Sequence, residues 1–435
     1  MANQRSSNPY HPHPDDGDGA APFAGRHKAF EFLYQRLTDP AGTESSLILG
    51  RRDSGKTALL HHFSRYFDET FLGVYIPLKD TALKAEADWL RLLADGATRA
   101  LTERNYTLSR LPEFTGAGVD MRGWLGDTFL PELFSIIRRQ RRLVFLLDDA
   151  DALLNAIAEG RLPDDSIAYL HALIGAQPQL GLVLTLDSQF EADISRFSPL
   201  IALDAVFRLA NLSEDESIWL LTEPAAALYR LTPDAAAAAY RATGGQPRPL
   251  QRFGYHLFKR WEAHPDRTTL TPDDVKPVTL TVYAESEADL RAAWDRASRN
   301  ERLVLTAIIS LLYADPLGTI TPAGIESWLV ETDYPLDGTA INAAIRGLEY
   351  QEIAESTAGG IRLTAGLMQT WLLENGRLSG RAPQAEARRP GLRWLALAAA
   401  ALLVIVLVLV AGQGTTPATT DTPAPVPTVT LVANP

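Results

Sequence analysis

Between residues 23 and 212, short apolar runs alternate with segments whose apolar residues recur at helical spacing. Nearly continuous apolar runs of strand length occupy 45–49, 71–78 (FLGVYIPL), 143–147 (LVFLL) and 181–186 (GLVLTL), with a weaker fifth at 206–209. Runs that are apolar on both faces suit strands covered on both sides in a parallel sheet. Helical patterns lie between them, for example at 56–67 and 164–174. The alternation predicts an α/β fold with helices on both faces of the sheet. Residues 80–140, helical mainly over 82–104 and 121–139, exceed what one crossover needs and predict an added helical layer.

After residue 212 the strand pattern stops. Ser213 followed by three acids, ending in Glu216, reads as a capping box opening a helix. Helices are predicted at 233–243 and 249–263. A linker is expected from 266 to 277 and a polar helix around 285–298. Residues 300–314, 321–331 and 337–350 read as three further helices. Two short strands follow around Gly359-Gly360. Three helices and then a hairpin is the order of a winged helix.

The two ends differ in character. Residues 1–21 lack hydrophobic periodicity and predict a disordered arm. Residues 394–411 are 18 uninterrupted apolar residues. With Gly412 they span roughly 28 Å as a helix, enough for the hydrocarbon core of a bilayer. Residues 377–393 carry five arginines against Glu386, net +4, whereas 412–435 has no basic residue and only Asp421. The positive-inside rule then predicts a single-pass cell-membrane protein, with the N-terminal domains cytoplasmic and a Thr/Pro-rich tail outside. The expected domains are 1–21 arm, 22–212 α/β core, 213–265 helical lid, 266–298 linker helix, 299–374 winged helix, 375–393 basic linker, 394–412 transmembrane helix and 413–435 tail.

Composition narrows the chemistry. The chain has no cysteine, which excludes disulfide scaffolds, cysteine nucleophiles and cysteine-ligated metal centres. Its 435 residues carry a net charge of −12, unlike a protein that coats nucleic acid.

The candidate chemistry sits after the first strand. Gly50-Arg51-Arg52-Asp53-Ser54-Gly55-Lys56-Thr57 fits the phosphate-loop pattern G-x-x-x-x-G-K-[ST]. The glycines permit turns in which successive N–H groups face phosphate oxygens. Lys56 is one of only six lysines beside 35 arginines. It brings a compact charge to the β- and γ-phosphates, and the Thr57 hydroxyl is a Mg²⁺ ligand. Residues from Gly50 to Ala58 form the expected cradle, with the start of the following helix adding its dipole.

The run at 143–147 ends in Asp148-Asp149. Asp148 is expected to hold Mg²⁺ and Asp149 to polarise the attacking water. Asp148 follows Lys56 by 92 positions, which leaves room for an extra strand between the motif strands. This is the topology of the ATPase branch, and no N-K-x-D guanine-reading sequence occurs. ATP and Mg²⁺ are therefore the expected ligands.

Residues 23–260 resemble the AAA+ and STAND ATPases, notably bacterial STAND-like members and the origin-recognition clade. Phe23-Ala24-Gly25-Arg26 is similar to their N-terminal F-x-G-R segment, which implies that Arg26 lies near the adenine. The family's Glu three residues on is Ala29 here. The resemblance makes 182–188 the strand carrying a polar sensor, with Thr185 and Ser188 as candidates and Ser188 preferred. It makes 243–248 (TGGQPR) the lid motif, where Pro247 touches the base and Arg248 senses the γ-phosphate. Asp149 stands where AAA+ members usually have Glu, which suits a slow switch better than a motor. Nucleotide-dependent self-association is among the implied properties.

Over 299–374 there are four basic and ten acidic residues, net −6. The electrostatic footprint of a DNA reader is missing. The module is expected to be an intramolecular or protein-partner-binding domain rather than a nucleic-acid reader. The leading expectation is a membrane-anchored, slowly hydrolysing ATP switch. Its rivals are a DNA-binding regulator or loader and a scaffold that keeps its nucleotide unhydrolysed.

Overall fold

A computed structural model describes residues 7–11, 22–39, 45–67, 69–79, 83–114, 120–137, 141–315 and 319–376. Five strands, β1 (Ser45–Gly50), β2 (Phe71–Pro77), β3 (Arg142–Asp148), β4 (Leu180–Asp187) and β5 (Val206–Leu209), form one sheet in the order β2-β3-β4-β1-β5. Every pairing is parallel. β4 therefore lies between the two motif strands, β1 and β3, which is the expected extra strand.

Period-two alternation divides the strands between two cores. Leu47 and Leu49 of β1, Leu143, Phe145 and Leu147 of β3, and Leu182, Leu184 and Leu186 of β4 face one side. There they meet helices Glu86–Glu103, Met121–Gly123, Leu130–Ile136, Asp151–Ala158 and Ser166–Ala176. Ile48, Val144, Leu146 and Val183 face the other side, against helices His27–Thr38 and Lys56–Phe67. Each fully buried Leu or Ile contributes about 1.5–3 kcal/mol of transfer free energy. The added layer between β2 and β3 is present. Its second stretch passes through a π-helical turn at Trp124–Phe129, so it is not one regular helix over 121–139.

From Leu212 onward the helices share one continuous core that runs to Leu372. Helix Glu214–Thr222 opens on the expected capping box of Ser213 and Glu216. Helix Pro233–Thr243 ends at Gly244 in the left-handed region, and Gly245 follows at φ 75°. The turn is wedged: a Cβ on Gly245 would stand 2.0 Å from the Leu212 carbonyl oxygen, and one on Gly244 2.6 Å from that of Thr364. Helix Pro247–Glu262 follows this turn.

The expected linker over 266–277 is replaced by one helix, Pro272–Arg296, which runs through Pro277. Its Val275, Val278, Val282, Leu290 and Ala293 are buried in the shared core, so burial overrides the proline signal. Asp274 fixes its start. Burial opposes that charge. Bonds from Arg267 at 2.7 Å, Arg260 at 2.8 Å and the Thr271 N–H nevertheless hold the carboxyl down at about 2.

Helices Arg299–Ala314, Pro322–Glu331 and Gly338–Tyr350 follow, then an antiparallel pair, Ala354–Thr357 with Gly360–Leu363, and helix Gly366–Asn375. Residues 299–376 are called the C-terminal module below.

Part of the expected disordered arm is seated. Tyr10 is 2% exposed, and its hydroxyl donates to the Leu221 carbonyl at 2.6 Å. Its ring lies on Gly254, where an added Cβ would stand 2.2 Å away. Asn8 donates to the Tyr255 carbonyl. One aromatic filling a glycine notch holds this stretch without any periodic pattern.

Among the described residues no helix is long and apolar enough to cross a membrane. The expected span at 394–412 and its flanks lie outside the described residues.

Candidate nucleotide-binding site

The site is built at the C-terminal ends of β1, β3 and β4. β1 ends at Gly50, and the loop to Lys56 turns tightly enough to need Asp53 at φ 63° and Gly55 at φ 93°. Ser54 is buried, and its N–H donates to the Arg51 carbonyl at 3.2 Å. Lys56 begins the next helix and is 7% exposed. Its ammonium donates to the carbonyls of Gly50 at 2.8 Å and Arg51 at 2.9 Å. Burial pushes its pKa down, opposed by Asp187, Asp149, Asp148 and Asp53. Ala58 lies one turn in, where its carbonyl faces His62 Nδ1. Arg52 is exposed at the loop's rim.

The carboxylates converge on this loop. Asp148, at the end of β3, is 3% exposed. Its Oδ2 accepts from Thr57 Oγ1 at 2.7 Å and from the Tyr75 hydroxyl at 3.2 Å. Its Oδ1 accepts from Thr185 Oγ1 at 2.5 Å. The same Thr185 hydroxyl accepts the Asp149 N–H at 2.9 Å. One hydroxyl on β4 thus holds the Asp148 carboxylate and the Asp149 backbone together. Asp149 has φ 56°. Burial first, and then the charge of Asp148, pushes its carboxyl above the ordinary carboxylate range, against Lys56 and Lys79.

Of the two sensor candidates, Ser188 starts the 3₁₀ segment Ser188–Phe197 beyond the strand, whereas the Thr185 hydroxyl reaches the Asp148 carboxylate. A polar residue inside an otherwise apolar strand run is the local signal that Thr185 carries in the sequence. Asp187 was missed altogether. It pairs in register with Gly50, and its carboxylate lies 3.8 Å from the Lys56 ammonium. Its position at the last residue of a strand bordering the loop strand was the available clue.

The remaining predicted residues surround the loop. Arg26, in the left-handed region at φ 68°, donates to the Ala210 carbonyl at 2.5 Å and the Ser54 carbonyl at 2.7 Å. Pro247 is the first residue of its helix, and Arg248 reaches Asp53 at 2.9 Å. A cavity lies beside the loop, lined in part by Arg51, Arg52, Asp53, Gln246, Arg248 and Arg296. Thr57 and Asp148 bring two hard oxygens to one point, the donor chemistry that Mg²⁺ takes. Among the described residues no group of three or more His, Asp or Glu forms a metal cage. Magnesium bound with phosphates needs only one or two protein ligands.

No protein-family model and no curated protein sequence matches the chain. Solved structures do. A Walker-type ATPase of Pyrococcus abyssi aligns with a TM-score of 0.51 at 16% identity, over 81% of this chain and 96% of that one. The fold is like that of this Walker-type ATPase. The ORC2 protein of Aeropyrum pernix, in ADPNP–ADP complexes, aligns at TM-score 0.48 and 14% identity, over 90% and 96% of the two chains. Cdc6p of Pyrobaculum aerophilum aligns at 0.41 and 19%, over 81% and 95%.

Proposed function

We propose that the chain is an ATP-binding switch that hydrolyses its nucleotide slowly. The observation that carries this reading is the network in which Thr57, Asp148, Thr185 and Asp149 are bonded together beside Lys56. In this reading phosphate oxygens replace the Gly50 and Arg51 carbonyls as acceptors for the Lys56 ammonium. Arg26 holds the entrance of the loop by tying Ser54 to Ala210, with the base nearby. Thr57 and Asp148 would hold Mg²⁺, which would supply charge neutralisation at the nucleotide phosphates. Asp149 takes a proton from the attacking water, and its raised pKa suits that task. An Asp is one methylene shorter than the usual Glu, which supports slow turnover.

Pro247 and Arg248 would carry the nucleotide state into the lid. The C-terminal module has the helix and hairpin order of a winged helix, and its net −6 supports a protein partner over DNA. The apolar stretch at 394–412 and the arginines before it support a single-pass anchor with the ATPase side in the cytoplasm.

The full chain in detergent should bind Mg·ATP in calorimetry, and Lys56→Ala should abolish binding. Equal affinity of the two proteins would refute the site. For the anchor, the chain should stay with membranes in high salt and leave them in detergent. Release by salt alone would refute it. Duplex DNA binding that weakens steeply with salt, and is lost in Arg346→Ala, would restore the DNA-binding rival.

A further inference from the structure

Tyr75 is the one residue with a polar side-chain atom in the strand run at 71–78. β2 is the outermost strand on its side of the sheet, and Tyr75 pairs in register with Leu146, two residues before Asp148. Side chains alternate along a strand, so Tyr75, Leu146 and Asp148 share one face. That face is covered by helix Lys56–Phe67. The half-buried Tyr75 side chain reaches along it, and its hydroxyl donates to Asp148 Oδ2 at 3.2 Å.

The ring is also held by the helix. His61 lies one turn beyond Thr57, so the two share a helix face. The His61 ring meets the Tyr75 ring edge-on, with centroids 4.3 Å apart and planes at 76°. The Thr57 hydroxyl donates at 2.7 Å to the same Oδ2 that Tyr75 reaches, and Thr185 donates to Oδ1. Three hydroxyls from three elements thus converge on one carboxylate that is 3% exposed. A carboxylate has about four acceptor sites, so this cage leaves room for a cation or a water bound to one. None of the three donors carries a positive charge, so none competes with a metal for the carboxylate.

We infer that Tyr75 is a positioning residue for the divalent cation: from the sheet edge its hydroxyl orients Asp148 and sets how tightly the metal is held with the nucleotide. This rests on reading the phosphate loop as the nucleotide site. A carboxylate oriented by donors behind it binds metal more tightly, and removing such a donor costs about 10–100-fold in metal affinity. Thr57 is itself a candidate ligand, and Thr185 also accepts the Asp149 N–H. Tyr75 is the donor that can be removed without touching either. Phenylalanine there keeps the ring against His61 and deletes the hydroxyl alone.

The test titrates ATP by calorimetry into the full chain in detergent, with Mg²⁺, with Mn²⁺ and with EDTA. The proteins are wild type, Tyr75→Phe, His61→Ala and Lys56→Ala. Tyr75→Phe should weaken ATP binding about tenfold in Mg²⁺, the low end for such a donor because its bond is the longest of the three. Binding in EDTA should not change. Mn²⁺, which N and O donors hold more tightly than Mg²⁺, should recover part of the loss. His61→Ala, which frees the ring but keeps the hydroxyl, should give a smaller loss of the same kind, and it carries the test if Tyr75→Phe does not fold. Loss of binding in Lys56→Ala with unaltered Mg²⁺ dependence in Tyr75→Phe and His61→Ala overturns the role of Tyr75 alone. A loss in Tyr75→Phe as large in EDTA as in Mg²⁺ also overturns it, because that marks a residue that only supports the fold. Unaltered binding in Lys56→Ala overturns the nucleotide reading, and the role of Tyr75 with it.

Discussion

The guanidinium of Arg248, in the first turn of a lid helix, donates to the carboxylate of Asp53 in the phosphate loop at 2.9 Å. The residue proposed to read the γ-phosphate is paired with a loop acid, and both are partly exposed, at 21% and 30%. Asp53→Asn keeps a residue type that tolerates left-handed backbone and removes the competing charge. It should raise ATP affinity about two- to fivefold, the scale of a screened pair. Arg248→Ala should lower it. Isothermal titration of both variants decides the matter: a mere clasp between lid and loop would make both lose affinity together.

Asp149→Asn should separate turnover from binding. Loss of a positioned base costs about 10²–10⁴ in rate, so phosphate release should fall by at least 100-fold while ATP still binds. The same variant should melt at a higher temperature near neutral pH. Its carboxyl is raised above the ordinary value of 3.8 by burial and by Asp148. The folded state therefore binds that proton more tightly than the unfolded chain does. Stability is lost as pH rises from about 3.8 through the raised value, and the loss persists above it. Asparagine removes this component, and melting curves across pH read it directly. In wild type, hydrolysis should fall as pH drops through the same raised value.

Thr185→Val removes the hydroxyl shared by the Asp148 carboxylate and the Asp149 backbone. It leaves the Asp149 N–H and Asp148 Oδ1 without this partner in a fully buried strand. Urea unfolding should show a loss of about 1–3 kcal/mol. Thr185→Ser should recover most of it. Ser188→Ala should change stability by under about 0.5 kcal/mol.

Gly254→Ala should destabilise by about 1–3 kcal/mol, because the new methyl meets the Tyr10 ring. In a Tyr10→Ala background the same change should be nearly neutral. The coupling energy of this double-mutant cycle measures how firmly the N-terminal segment is seated. A simple sum of the two single effects would show that it is not.

The contrast between these sites shows what the sequence could disclose. Strands buried on both faces announce themselves as unbroken apolar runs, and the phosphate loop is contiguous, so both were legible. Thr185 and Asp187 were harder, because their meaning depends on which strand lies beside β1, and pairing order is not written locally. Pro277 argued for a linker, yet five buried apolar residues on that helix outweighed it. Tyr10 acts across more than a hundred residues, through one notch, and leaves no periodic trace.

The seating of Tyr10 also bears on how the chain is made. His11 bonds Gln251, which leaves the ribosome 240 residues later. At about 5–20 residues per second, that separation is roughly 10–50 s of synthesis. The Tyr10 side chain must wait about that long for its notch at Gly254. The phosphate loop and the five strands of the parallel sheet are made before that notch exists, so seating of the N-terminal segment follows synthesis of the sheet rather than starting folding.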